Sequence, residues 1–232
     1  MVLRVAHDND VSDRPVLSLK IESVRRGGEQ IIGGMSLKAS AGETIAIVGP
    51  SGIGKTTLLR VVDGLQRNFD GSCQVPEKRA MVFQEPRLLP WRTLADNLII
   101  ATGISKDRAK SLLSDAGLGG KDGLMPGELS LGQQRRVALL RAFATEPDIL
   151  LMDEPFVSLD AETAEAMMEL FVRLRAKHAT TTLLVTHSME EAKKLASRIV
   201  TLGGRPATIQ DDRQNKGAYF HSSASGVTSS GL

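Results

Sequence analysis

The sequence predicts an α/β fold built on a buried parallel sheet, and three observations carry that prediction. Thr44–Val48, Ile149–Met152 and Thr181–Thr186 are short apolar or β-branched runs of strand length, as strands covered on both faces require. Segments of helical period separate them, so strand and helix alternate along the chain. A glycine-rich stretch joins the first of these strands directly to a helix.

In chain order, residues 1–14 are polar and expected to be loose. Val16–Ile21 alternates like a half-buried strand, and Ile31 to Leu37 reads as a second. Ala41-Gly42-Glu43 turns the chain into the buried strand Thr44–Val48, and a helix begins around Thr57. Ala80–Phe83 is a further short apolar run. Between Glu85 and Gly127, Pro86, Pro90 and Pro126 punctuate helical segments at Thr93–Thr102 and Asp107–Ala116. That change of character predicts an inserted helical subdomain over about 85–135. Arg136–Ala144 is helical, Ile149–Met152 is a strand, and Ala161–Ala176 is an amphipathic helix. Thr181–Thr186 is a strand and Glu190–Ala196 a helix. Ile199–Leu202 and Ala207–Gln210 flank a Gly203–Pro206 turn. The ordered domain is expected over 15–210. Residues 211–232 grow rich in Ser and Gly and read as a disordered polar tail.

Composition narrows the function classes. The 232 residues suit one large domain or one with an insertion, and 41% hydrophobic with 24% charged residues is an ordinary globular composition. A formal charge of +2 without basic–aromatic clusters gives no footprint for nucleic acid. Cys73 is the sole cysteine, which excludes a disulfide frame and a cysteine metal site and fits a reducing compartment. His7, Asp8, Asp10 and Asp13 leave no apolar core for a secretory signal. No run approaches the roughly 18 apolar residues of a membrane span.

The chemistry is concentrated in Gly49-Pro50-Ser51-Gly52-Ile53-Gly54-Lys55-Thr56-Thr57, which fits G-x-x-x-x-G-K-[ST] at every fixed position. Its setting between a strand and a helix is what makes the pattern a phosphate cradle. Glycines let backbone N–H groups converge on an anion, and the helix N-terminus adds positive potential. Lys55 can reach the β- and γ-phosphates of a nucleotide, and the Thr56 hydroxyl can hold Mg²⁺. A second signal is Asp153-Glu154, two carboxylates at the end of an apolar strand. That position is the carboxyl edge of a parallel sheet, where open α/β folds bind ligands. Asp153 is placed to hold Mg²⁺ through water, and Glu154 to polarise an attacking water. Third, Ser130 followed by Gln133 is a capping box ahead of a helix. A serine-capped helix start beside Gly132 is also a partner for a γ-phosphate.

Together these residues resemble the ATP-binding cassette (ABC) ATPase subunits. Leu129–Gln133 is similar to that family's signature motif, and Gln84 to the glutamine that senses Mg²⁺ and the γ-phosphate. Ser158-Leu159-Asp160 resembles its D-loop, and His187 its switch histidine. The resemblance covers roughly residues 16–210. It implies a P-loop NTPase core with an antiparallel β-subdomain and an inserted helical subdomain. It also implies ATP and Mg²⁺ as ligands, with two copies facing head to tail. Lys55, Gln84, Glu154 and His187 then act in hydrolysis. Thr56, Gln84 and Asp153 serve the metal. Ser130 and Gly132 cover the nucleotide of the other copy, and Gln133 and Asp160 are further nucleotide-binding candidates.

The chain departs from the family's pattern twice. Leu131 stands where the signature has its first glycine. The aromatic that stacks on adenine is missing near Ser23–Gly28, where Arg26, or else Arg25, offers a guanidinium plane instead. Two solvated arginines are the alternative. Phe83–Trp91 and Asp153–Asp160 resemble importers of the nitrate, sulfonate and taurine type. That resemblance implies membrane permease subunits and an external binding protein as partners, on the cytoplasmic face of the membrane, with no nucleic acid. Leu89 and Trp91 are then part of the permease contact, the alternative being Trp91 packed inside the helical subdomain. An exporter or lipid-trafficking ATPase and an ATP-gated clamp without transport are the competing functions.

Overall fold

The computed structural model describes residues 15–218. Its main sheet grows from the three runs that mark the sequence. These are β4 (Thr44–Val48), β7 (Ile149–Asp153) and β8 (Thr181–Thr186), every residue of which is buried. β6 (Arg79–Val82), β9 (Arg198–Gly203) and β10 (Thr208–Gln214) complete six strands in the order β10-β9-β4-β8-β7-β6. All neighbours are parallel except β10, which returns antiparallel along β9. Parallel register places the carboxyl ends of β4, β8 and β7 side by side on one edge. The glycine loop, Asp153-Glu154 and His187 all leave the sheet at that edge.

Alternation along the strands divides the core into two layers. Ile149 and Leu151 face one apolar cluster with α1 (Lys55–Asp63) and a second, antiparallel sheet. Leu150 and Met152 face the other cluster. That one is filled by α2 (Leu94–Thr102), α3 (Lys106–Asp115), α4 (Leu131–Phe143) and α5 (Ala161–Lys177). The expected helical insertion therefore packs as part of the second layer. α6 (Met189–Leu195) lies against β4 and β8.

The second sheet corrects the sequence reading. Ile31 to Leu37 is not one strand. Gly33-Gly34 breaks it into β2 (Glu29–Ile32) and β3 (Met35–Ala39), which flank β1 (Leu17–Arg26). β5 (Asp70–Gln74) also pairs with β1 and has no counterpart in that reading, because its residues are polar and mostly exposed. The expected end of the domain at 210 is also too early. β10 runs on to Gln214, where Arg198 grips the Asp212 carboxylate with Nε and Nη2 at 2.6 Å each. The expected loose start (1–14) and the rest of the polar tail (219–232) lie outside the described residues. Among the described residues no helix is long and apolar enough to cross a membrane.

Candidate active site

The glycine loop ends in Gly54, which caps α1 with φ 115° and ψ 7°, a left-handed conformation suited to glycine. A Cβ there would meet Ile31 Cγ2 at 3.2 Å, so β2 packs directly against the loop. Lys55 follows and is only 4% exposed. Its ammonium lies 2.9 Å from Gly49 O, 3.0 Å from Pro50 O and 3.5 Å from Glu154 Oε1. The loop thus wraps its own lysine and holds the charge at the cavity wall. One residue on, Thr56 Oγ1 donates to Asp153 Oδ1 at 3.0 Å, joining the start of α1 to the end of β7.

Glu154 begins the departure from the sheet. Its N–H still donates to Val185 O at 2.9 Å, but its backbone has turned to φ 45°. A left-handed non-glycine residue costs about 1–3 kcal/mol and persists where the surroundings over-determine it. That turn aims the carboxylate back between Lys55 and His187, whose Nδ1 lies 3.3 Å from Glu154 Oε2. Burial pushes the Asp153 carboxyl above its ordinary range, against the lowering effect of the Thr56 hydrogen bond, and the adjacent Glu154 charge adds to the rise. A carboxylate buried beside another carboxylate calls for a cation. Among the described residues no cluster of three or more His, Cys, Asp or Glu forms a complete metal cage. The oxygen donors of Thr56, Asp153 and Gln84 suit Mg²⁺, which keeps waters and shares phosphate oxygens.

A cavity of about 480 Å³ lies beside these groups, though Asp153 and His187 are not among the residues that line it. Ser51, Gly52, Gly54, Lys55, Thr56 and Thr57 line it, with Gln84 and Glu154 beside them. Arg26 lines it as well and Arg25 does not, which separates the two arginines the sequence leaves open. Pro50 and Ile53 face a neighbouring cavity of about 610 Å³, and Gly49 turns inside the loop beside Leu202.

The other predicted residues gather elsewhere. Ser130 caps α4 by accepting from Gln133 N at 3.3 Å, and Gln133 Oε1 accepts from Ser130 N at 3.1 Å. Asp160 caps α5 through Thr163 N at 2.9 Å. Gly132 packs so closely on this second cap that a Cβ would sit 2.4 Å from Thr163 Cγ2. Leu131 is 43% exposed at the first turn of α4. None of these residues lines the cavity. In one chain the start of α4 lies apart from that cavity, with Ser130 and Leu131 exposed and Gly132 buried against Thr163.

Comparison with known proteins identifies the family. A family model described as ABC transporter matches residues 32–157, more than half of the chain. The chain belongs to the ABC transporter family. Its similarity to curated members extends further. It is 41% identical over 197 residues to the aliphatic sulfonates import ATP-binding protein SsuB 1 of Pseudomonas syringae pv. syringae, covering 84% of this chain and 83% of that one. It is 39% identical over 218 residues to SsuB 2 of Burkholderia lata, covering 89% and 80%. Among solved structures it is similar to the ATP-binding cassette MJ0796, a dimer in a post-hydrolysis state bound to ADP and Pi. There the TM-score is 0.74 with 28% identity over 87% of this chain and 99% of that one. The chain has the ABC ATPase fold and is an ABC-type ATPase.

Several residues around this ABC site escape sequence reasoning. Arg60 lines the cavity, and its spacing of four from Thr56 on a helix was a signal for it. Glu191 accepts from the Thr186 hydroxyl just before His187, and Thr186 Oγ1 in turn accepts from Ser188 N at 3.0 Å. Asn97 is buried and pins the loop that presents Trp91. It accepts from Leu89 N at 2.7 Å and donates to the Leu89 and Arg92 carbonyls at 3.1 Å each. Helical periodicity marks Asn97 only as a helix residue.

Proposed function

We propose that this chain is the ATP-hydrolysing subunit of an importer for small sulfonates or related small organic anions. It works as a head-to-tail pair on the cytoplasmic face of the membrane. Two permease subunits complete the assembly, and an external binding protein delivers the cargo. The observation that carries the hydrolytic reading is the position of Glu154, between Lys55 and His187 at the end of β7. The import reading draws on relatives named for sulfonate import, which the chain matches over most of its length.

In this reading the loop N–H groups and Lys55 bind the phosphates and neutralise charge. Thr56, Asp153 and Gln84 hold Mg²⁺, which supplies electrostatic stabilisation of the phosphates when bound. Glu154 accepts a hydrogen bond from the attacking water and orients it, and His187 steadies Glu154 and meets the γ-phosphate. Arg26 stacks on the base. Ser130 and Gly132 of the second copy close over the γ-phosphate and exclude water. Catalysis is then positioning plus electrostatics, with no covalent intermediate on the protein.

The permease contact is assigned to the loop around Trp91. Trp91 is 68% exposed, so it does not pack inside the helical layer. The loop is stiff. Arg87 lies 3.6 Å over the Phe83 ring, and Arg141 donates to the Arg87 and Pro86 carbonyls at 2.9 and 3.2 Å. A tagged pull-down from detergent-solubilised host membranes tests the reading. It should recover a multi-spanning permease in equal amount, and Trp91→Ala should lose that permease while keeping basal ATPase activity. Recovery of soluble partners or nucleic acid alone would replace transport by the clamp function.

A further inference from the structure

Arg135 lies on the second turn of α4. Its side chain is buried, with the residue 5% exposed, and desolvation lowers its pKa from the ordinary arginine value. Its Nη1 donates to two neutral carbonyls, Pro155 O at 3.3 Å and Val157 O, while Nε has no hydrogen-bond partner among the described residues. A buried guanidinium held only by neutral acceptors is a poor way to gain stability, since an apolar side chain avoids the desolvation cost. Its place in the fold offers another role.

The two carbonyls belong to the segment that runs from Glu154 to Asp160. Glu154 (φ 45°) and Ser158 (φ 59°) both stand in the left-handed region, one on each side of the segment that Arg135 grips. Strained residues of this kind persist only when neighbours hold them. Arg135 supplies that hold from α4, the helix whose first turn carries Ser130 and Gly132. The same helix start has no slack against the segment's far end, because Gly132 sits against Thr163 on the Asp160 cap. Leu129 and Phe156 share one apolar cluster, with Leu159 packed against it. A shift of the start of α4 therefore cannot leave the 154–160 segment in place.

We propose that Arg135 is a positioning residue that couples the outward-facing start of α4 to the Glu154 carboxylate of the same chain. When a second copy's nucleotide engages Ser130 and Gly132, Arg135 carries the displacement to the backbone that orients Glu154. Occupation of one site thereby sets the geometry of the other. The inference rests on reading Glu154 as the group that orients water and α4 as the element that meets the second copy.

The test compares Arg135→Gln and Arg135→Lys with the wild-type chain. Steady-state hydrolysis is measured against ATP and protein concentration, and ATP affinity separately with a fluorescent ATP analogue. Arg135→Gln should lower kcat by about tenfold, the size of a typical coupling between sites, and bring the Hill coefficient to one. The dissociation constant should stay within about twofold, inside the spread of uncoupled effects. Arg135→Lys, which keeps a cation able to reach one carbonyl, should fall between and also covers the case in which Arg135→Gln does not fold. Folded variants with wild-type kcat and Hill coefficient would overturn the coupling. So would losses of kcat and ATP affinity in equal proportion, which mark a structural role. Glu154→Gln, assayed in parallel, keeps the two ideas apart. If it hydrolyses normally, the reading of Glu154 itself fails. If it is inactive while Arg135→Gln is normal, only the coupling fails.

Discussion

In the proposed function, phosphate recognition at the carboxyl ends of β4, β7 and β8 is made from buried charge and tight backbone. Lys55 is enclosed by the carbonyls of its own loop, Asp153 is buried against Thr56, and Glu154 is held in a left-handed turn. At the start of α4 it is made from the opposite materials. Ser130 is exposed and Gln133 half-buried; both are neutral and satisfied by each other as a capping box. The first arrangement stores its cost in the folded chain and is ready to bind. The second stores almost none, because a cap hydroxyl and free helix N–H groups are stable in water without a ligand. This contrast suits an enzyme in which one half binds nucleotide and the other half, arriving from a second copy, adds the contacts realised only on closure.

The largest expected effect tests the buried half. Glu154→Gln keeps the size of the side chain and its place between Lys55 and His187 but removes its capacity as a base and its charge. Turnover should fall by about a hundredfold or more, the range of general acid–base contributions. ATP affinity should hold or rise, since a negative charge next to the phosphates is removed. Coupled-enzyme ATPase rates and equilibrium binding check both. Near-normal turnover would sink the assignment of Glu154.

The intermediate effect tests the outward half. Ser130→Ala loses the cap, about 1 kcal/mol of stability, together with any hydroxyl contact to phosphate. Ser130→Asp separates the two. Asp is as good a cap and its charge suits a helix N-terminus, so the melting temperature should hold. Its carboxylate would then face a partner's phosphate, and turnover should be lost. Mixing Ser130→Asp chains with Glu154→Gln chains is the sharper version. Each mixed pair contains one site with an intact Glu154 and an intact Ser130 from different chains, so activity should return. If mixing restores nothing, α4 does not complete a site on another copy, and the contrast between the two halves loses its meaning.

Much of the buried half was legible because its residues are contiguous. A nine-residue loop and an acid pair at a strand end announce their chemistry wherever they occur. The main sheet was legible for a similar reason, since parallel strands covered on both faces leave unbroken apolar runs. What escaped depends on distance along the chain. Arg135 reads as one more polar residue on a helix, and only the fold brings it to the carbonyls of Pro155 and Val157. Asn97 and Glu191 are hidden in the same way. β5 escaped because it needs no apolar face, being an edge strand held by its ladder to β1. The division at Gly33-Gly34 was visible in composition, but the apolar residues on either side carried the stretch across it.

The smallest expected effect concerns the far end of the buried half, where the base must lie. With Lys55, Thr56 and Glu154 read as the phosphate end of the cavity, Arg26 and Ile31 on β1 and β2 are read as its base end, while Arg60 lines it from α1. A guanidinium plane on a base at a partly exposed site contributes on the order of 0.5–1 kcal/mol. Arg26→Ala should therefore raise the ATP dissociation constant about two- to fivefold, with kcat unchanged because the contact is the same before and during hydrolysis. Arg25→Ala should change neither, since Arg25 is exposed but does not line the cavity. The pair is informative because the two side chains are adjacent in sequence and equal in charge. A purely electrostatic contribution would weaken binding in both variants and fade with salt, whereas stacking would weaken it in one alone and persist. Equal effects in the two variants would show that this half of the site recognises the triphosphate and leaves the base unread.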